Sequence, residues 1–230
     1  MDQTTYAKGL EGVIAAESEI CRVDGVGGDL FYRGYSINDL AAHSSFEEVT
    51  YLLLHEDLPN SQQLAAFTER MRSQRGLPPA VQTMIREFPL SGSLMEFLQS
   101  VIAYLSGTVE HVIQHGSECN CRDTLHQVAQ LASVVATHQR MRDGKDYVEP
   151  RADLSHGANF LYMLRGEEPD PHEGELMDRA LLLHAEHGFC ASTFTARVVA
   201  STLSTCSDAG SKSVSSRCVT HSGTALRSIR

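Results

Sequence analysis

Amphipathic helical patterning constrains the fold of this chain more than any other feature. From Ser36 onward, apolar residues recur three and four positions apart, as in Leu64, Phe67 and Met71, which is the spacing of one helix face. Capping residues mark the helix starts, such as Ser45 followed three positions later by Glu48. The sequence predicts a mostly α, multi-helix domain with helices over 36–42, 45–55, from 60 or 61, from 79, over 93–106, 123–142, 153–165 and 173–187, and from about 193.

One short β-hairpin is predicted before these helices. Residues 13–16 and 30–32 are locally alternating and flank the turn sequence DGVGG at 24–28. The turn is not a phosphate-binding loop, because no GK[ST] or GxGxxG pattern follows it. A chain of 230 residues can bury enough apolar surface for one substantial domain.

Charge and composition exclude several classes of partner. A net charge of −10 argues against nucleic acid or an anionic membrane as a general partner. No apolar run is long enough to cross a bilayer, and the N-terminus lacks the features of a signal or transit peptide, so a cytoplasmic location is expected. The six irregularly spaced cysteines are expected to stay reduced.

A pair of histidines near residue 185 is the strongest candidate for a site. The apolar run 180–183 leads into His184 and His187, and Gly188 is a plausible helix stop. As a helix, this segment would place both imidazoles on one face and point Glu186 elsewhere. Ser192 or Thr193 would cap a following helix that carries Arg197, and the group would suit a small polycarboxylate. A hydrogen-bonded core pair or a solvated helix edge is the structural alternative.

The run HAEHGFCASTFTARVVASTLS at 184–204 resembles the signature of the citrate synthase family. Six further blocks resemble that family in the same order, and the resemblance extends from about residue 8 to residue 204. The blocks YRGY and RGLP resemble 2-methylcitrate synthase as much as citrate synthase. The six blocks are GLEGV at 9–13, YRGY at 32–35, FEEV at 46–49, LP at 58–59, RGLP at 75–78, and FLYML with GEEP within 160–169.

The resemblance implies a citrate synthase-like large domain and a tricarboxylic acid cycle acyltransferase. Such enzymes condense oxaloacetate with acetyl-CoA, or with propionyl-CoA to give 2-methylcitrate, and use no cofactor beyond this co-substrate. By resemblance, His187 binds oxaloacetate, His184 supports the helix end behind it, and Arg197 is structural. Family members are homodimers.

The family's catalytic residues have no counterpart in this chain. The two catalytic histidines belong to GPLHGGAN-like and GFGHRVY-like loops, and the catalytic aspartate and substrate arginines follow later, so no catalytic residue is identified here. Residues 1–204 therefore read as the N-terminal portion of the helical domain, truncated and inactive alone. Residues 205–230, Ser/Thr-rich with four basic residues against one acidic, read as a disordered non-family tail and suggest a shifted reading frame or truncation.

Two positions depart from the family within the region of resemblance. Cys190 occupies the place of a usual Asn, which replaces an amide donor and acceptor with a weakly polar thiol. Gln99 stands where an Arg is expected. Both departures put substrate anchoring or packing in doubt.

Two alternative functions come from other classes. His111, His115, Cys119 and Cys121 include zinc-ligand types, but Gly116 and Ser117 interrupt the helix that the histidines need and CxC is an unusual zinc spacing. A surface loop is therefore preferred, and no metal site is predicted. The chain could also be a non-catalytic partner that pairs with a full-length synthase through its helices.

Overall fold

The structure is a computed structural model that describes residues 17–89, 91–108, 121–186 and 188. Within these residues it contains a small antiparallel sheet and eight helices, which confirms the mostly α prediction. The elements in chain order are β1 (Cys21–Asp24), β2 (Asp29–Tyr32), β3 (Tyr35–Ser36), α1 (Ile37–His43), α2 (Phe46–His55), α3 (Ser61–Ser73), α4 (Pro79–Glu87), α5 (Leu94–Thr108), α6 (Cys121–Arg142), α7 (His156–Arg165) and α8 (Pro171–Leu183).

The sheet confirms the predicted turn and corrects the predicted pairing. Asp24 closes the turn by accepting the backbone N–H groups of Val26 and Gly27 at 3.0 and 2.9 Å. Cys21 then pairs with Tyr32 and Asp24 with Asp29. The first strand is thus the segment immediately before the turn, because so short a turn brings its own flanks together first. Residues 13–16, predicted as that strand, lie outside the described residues.

A third strand, which the sequence reasoning missed, completes the sheet in the order β1-β2-β3. The chain reverses through Arg33 and Gly34, whose φ values are 48° and 89°. Tyr35 then pairs with Tyr32, and Ser36 caps α1 by accepting the N–H of Asn38. The sheet therefore leads directly into the helices.

The predicted starts of α2 and α3 are confirmed by their caps, whereas α7 and α8 begin at His156 and Pro171 and not at 153 and 173. Ser45 and Glu48 form a reciprocal capping box, in which the Ser45 hydroxyl accepts the Glu48 N–H at 3.1 Å and the Glu48 carboxylate accepts the Ser45 N–H at 2.7 Å. Asn60 and Gln63 form a second box at 2.9 Å in both directions. These local hydrogen bonds satisfy N–H groups that have no partner within the helix.

Within the described residues, the core consists of three apolar clusters that share helices. The first joins α4, α5 and α6 around Phe97 and Val101. The second joins the sheet to α1, α2 and α8 through Tyr32, and the third joins α2, α3 and α6 around Phe67. Because Leu182 belongs to the second cluster, the end of α8 is packed against the sheet.

Glycines allow helices α7 and α8 to pack closely against each other. A Cβ on Gly157 would lie 2.5 Å from the backbone nitrogen of Asp178, and one on Gly174 would lie 2.9 Å from the Cβ of Ala158. The Gly157 N–H also donates to the Asp178 carboxylate at 2.6 Å. No helix in the described part of the chain is long and apolar enough to span a bilayer.

Candidate functional site

The histidine segment follows α8, but it does not continue the helix as predicted. Helix α8 ends at Leu183, and His184 is its C-cap with φ −104° and ψ 7°. The prediction of one helix through residue 187, with His184 and His187 on a shared face, is therefore wrong. His187 itself lies outside the described residues.

The buried hydroxyl of Tyr32 explains why the helix stops. It lies 3.4 and 3.1 Å from the carbonyl oxygens of Leu182 and Leu183. In a longer helix, the N–H groups of the next turn would donate to these oxygens. Its nearest acceptor is the Glu186 carbonyl at 2.8 Å, and it accepts the Glu186 N–H at 3.2 Å. Burial raises the pKa of Tyr32, so the phenol stays neutral and able to donate. One side chain of β2 thus holds both polar backbone groups of Glu186.

The other side of position 187 is also held. The Gly188 N–H donates to the Glu186 carboxylate at 2.5 Å, and Gly188 has φ 85°, a left-handed conformation that favours glycine. Burial and the Glu186 carboxylate raise the pKa of the Cys21 thiol, while the Gly188 N–H acts in the opposite direction. The sheet therefore contacts both neighbours of residue 187.

His184, the C-cap of α8, directly follows its last turn. Its ring is exposed, and its Nδ1 lies 2.7 Å from the Ala180 carbonyl oxygen. The carbonyl can only accept, so Nδ1 carries the proton in this contact. The ring therefore covers an otherwise open carbonyl at the helix end.

A second group of buried polar residues was missed by the sequence reasoning. Arg75 is only 1% exposed and donates through Nη1 to the carbonyls of Arg151 and Leu154 at 3.0 and 2.9 Å. Its Nη2 lies 3.8 Å from the Glu47 carboxylate. Burial lowers the pKa of Arg75 to about 10 and raises that of Glu47, although their mutual attraction opposes both shifts. Arg75 ties the chain after α3 to the loop before α7.

His156 completes this buried group. Its ring stacks on Phe46 with the centroids 4.7 Å apart, and its buried Nδ1 has no hydrogen-bond partner in the structure. Burial, and secondarily the charge of Arg75, lower its pKa to about 3. The imidazole is therefore neutral at physiological pH and packs as an aromatic ring, which points to a structural role.

A cleft of about 250 Å³ lies elsewhere, at the C-terminal ends of α4 and α6. Arg86, Arg142 and Lys145 line it together with Asp146, and His138 forms part of the wall. Arg86 and Arg142 occupy the last turns of their helices, where a cation offsets the negative end of the helix dipole. None of the lining residues belongs to α8 or the sheet, so this cleft is separate from the histidine segment.

The remaining sequence-based candidates are not assembled within the described residues. These contain no group of three or more His, Cys, Asp or Glu residues placed to hold a metal ion. His111, His115 and Cys119 lie outside them, as do Cys190 and Arg197, and the side chain of Cys121 is likewise undescribed. Gln99 is exposed on α5.

Comparisons with known proteins give a consistent set of matches. The family model described as citrate synthase, C-terminal domain matches residues 9–226. The chain is 43% identical over 210 residues to a citrate synthase of Acidithiobacillus ferridurans, covering 88% of this chain and 54% of that protein. It is 39% identical over 207 residues to 2-methylcitrate synthase 2 of Corynebacterium glutamicum, covering 87% and 54%.

Solved structures agree with these matches. The citrate synthase of Pyrobaculum aerophilum aligns with a TM-score of 0.78 and 36% identity, covering 94% of this chain and 54% of that one. The citrate synthase of Thermotoga maritima aligns with a TM-score of 0.73 and 32% identity, covering 94% and 55%. The chain spans about half the length of the curated relatives it matches.

Proposed function

Because this chain belongs to the citrate synthase family, we propose that its His187 binds oxaloacetate in a synthase that condenses this dianion with acetyl-CoA or propionyl-CoA. The observation that carries the proposal is the anchored turn after α8, in which Tyr32 holds the backbone of Glu186 beside His187. A binding side chain gains precision when a rigid element fixes its backbone. The matched relatives include proteins named for both reactions, so they do not decide the acyl donor.

Of the steps in this reaction, we propose only the binding of oxaloacetate for a residue of this chain. Removing a proton from the carbon next to the thioester carbonyl needs a positioned base and donors aimed at the developing enolate oxygen. Attack of that enolate on the ketone of oxaloacetate, followed by thioester hydrolysis, gives citrate or 2-methylcitrate and free CoA. An imidazole at position 187 suits the binding of oxaloacetate before the enolate attacks, since an N–H donor can hold a carboxylate or polarise the ketone. By the family resemblance, we do not expect the enolising base among these 230 residues.

We propose that the chain alone has little or no synthase activity, and release of CoA thiol measures this directly. The purified chain and its His187→Ala variant are incubated with oxaloacetate and either acetyl-CoA or propionyl-CoA. The expected result is no thiol release above the uncatalysed rate in any mixture, because the proton-abstracting groups are missing. Release that falls in the variant would contradict this, and its donor preference would name the substrate.

A second proposal concerns association through the helices. Helix α5 exposes three large apolar side chains, Leu94, Met95 and Tyr104, at 46%, 62% and 41%. Met95 and Tyr104 are nine residues apart and so lie on opposite sides of the helix, and the three side chains do not form one contiguous patch. The family resemblance alone supports pairing, and on that ground we propose that the chain associates with a second copy. Light scattering on the assay sample would show a dimer, and a monomer at all concentrations would count against self-association.

A further inference from the structure

We propose that the cleft at the C-terminal ends of α4 and α6 binds a small phosphate monoester that carries an aromatic ring. The cleft has a volume of about 250 Å³, and its lining combines three cationic side chains with an apolar wall. Small-molecule sites usually combine apolar walls with a few polar groups that orient the ligand. No residue of the segment after α8 lines the cleft. The cleft is therefore a second site, independent of the oxaloacetate binding proposed for His187.

The positive charge of the cleft comes from Arg86, Arg142 and Lys145, which line it with exposed side chains. None of the three forms an ion pair with another described residue. The opposing charges in the lining are the Asp146 carboxylate and the ends of α4 and α6, each helix end being equivalent to about half a negative charge. The three cations outweigh these charges, so the cleft attracts an anion although the whole chain has a net charge of −10.

The end of α6 beneath these cations is already capped. The Gly144 N–H donates to the Met141 carbonyl at 3.1 Å. The Lys145 N–H donates to the Arg140 carbonyl at 2.8 Å. The Arg140 side chain in turn donates to the Asp146 carbonyl at 2.6 Å, which ties this loop to α6. Because the backbone caps these carbonyls, the cationic side chains are not needed as their hydrogen-bond donors and can bind a ligand.

The apolar wall of the cleft is formed by Ile85, Phe88 and Met141. His138 extends this wall with a buried ring that stacks on Phe97 at a centroid distance of 3.9 Å. Phe97 also contacts Phe88, and their ring centroids lie 5.3 Å apart. Because Phe97 belongs to the core, the wall is ordered before any ligand binds. An aromatic ring would cover apolar surface here that inorganic phosphate would leave in water.

The charge and the donors of the cleft favour a phosphate over a carboxylate. A phosphate monoester carries a charge of about −1.5 to −2 at pH 7, whereas a carboxylate carries a single charge. Arg86 and Arg142 supply two guanidinium groups, which bind phosphate oxygens through paired N–H donors. Burial and, secondarily, the charge of Arg142 lower the pKa of His138, so its ring presents an uncharged face at neutral pH. A phosphorylated aromatic ring therefore matches both parts of the lining.

Calorimetric titration of the 230-residue chain compares phenyl phosphate with inorganic phosphate and benzyl alcohol, which separate the charge from the ring. Phenyl phosphate is expected to bind with a dissociation constant of about 1 mM, and inorganic phosphate about tenfold more weakly. Benzyl alcohol, which has no charge, should not bind at these concentrations. Either of these two probes binding as tightly as phenyl phosphate would overturn the proposal, as would no saturable heat from phenyl phosphate up to about 50 mM.

Two variants locate the binding within the molecule. Arg142→Gln is expected to weaken the binding of phenyl phosphate about tenfold, because it removes a charged hydrogen-bond donor to the phosphate. Arg179→Gln, at an exposed arginine of α8 outside the cleft, is the matched control and should bind like the unaltered chain. Equal losses in both variants would overturn the proposal. If Arg142→Gln does not fold, Arg86→Gln carries the same expectation against the same control.

His187→Ala separates the cleft from the proposed oxaloacetate site. This variant should keep its full affinity for phenyl phosphate, because the lining of the cleft includes no residue of the segment after α8. Loss of phenyl phosphate binding in His187→Ala would overturn the assignment to the cleft. Loss of oxaloacetate binding alone would support both proposals, since the two ligands would then bind at different places.

Discussion

At the scale of single residues, the buried polar group around Arg75 shows what a sequence does not reveal. Glu47 lies in the first turn of α2, where an acidic residue is ordinary on a solvated helix start, yet it is only 6% exposed. Arg75 and His156 likewise carry no periodic signal, because their burial depends on how α2, α6, α7 and α8 meet. The pattern of residues in one segment cannot predict a contact that depends on four helices.

His156 gives a pH-dependent prediction at this scale. Its folded pKa of about 3 lies below the unfolded value of about 6.5, so the unfolded chain binds the extra proton between these values. The stabilising effect of a neutral His156 is complete above pH 6.5 and lost progressively as the pH falls toward 3. When the pH falls from 8 to 5.5, the free energy of unfolding should therefore decrease by about 1.4 kcal/mol less in His156→Phe than in the unaltered chain.

Urea unfolding at the two pH values measures this difference. Glu47 and Asp178, whose pKa values are raised by burial, change stability in the opposite direction on protonation, but both proteins retain them. His172→Phe, at an exposed position on α8, is the control and should follow the unaltered chain. An identical pH dependence in His156→Phe would show that His156 is not buried in its neutral form.

At the scale of secondary structure, the starts of α2, α3 and α4 were predictable, and the end of α8 was not. Ser45 with Glu48, Asn60 and Pro79 are local signals, and each begins a helix where expected. The end of α8 depends on Tyr32, about 150 residues earlier in the chain. Because that contact is not local, the apolar run and Gly188 suggested a helix several residues too long.

The glycine contact between α7 and α8 gives a prediction at this scale. Gly157→Ala places a Cβ 2.5 Å from the Asp178 nitrogen, which is backbone and cannot move aside alone. We expect a loss of about 3 kcal/mol in the free energy of unfolding, since the two helices must separate. Gly76→Ala is the matched control, with no atom within 4 Å of its added Cβ, and should change stability by less than about 1 kcal/mol. Equal effects of the two substitutions in urea unfolding would contradict the close approach.

At the scale of the whole molecule, the helical architecture and the family were both accessible from the sequence. The family resemblance rested on ordered blocks, and the match of residues 9–226 to the citrate synthase model supports it. The contacts of Glu186 after α8 were less accessible, because the sheet that holds this residue and the helix that precedes it are far apart in sequence. The chain spans about half the length of its curated relatives, so the complete reaction is not attributed to it, and we propose only that His187 binds oxaloacetate.

Titration of the 230-residue chain with oxaloacetate, followed by the imidazole proton resonances, tests the central claim most directly. A single imidazole contact to a dianion is expected to give a dissociation constant of about 1 mM or weaker. We expect a saturable shift of the His187 resonance, no comparable shift at exposed His172, and no response to an uncharged ketone at the same concentrations. Equal shifts at both histidines, or no shift at His187 up to about 50 mM oxaloacetate, would contradict the assignment of His187 as the oxaloacetate-binding residue.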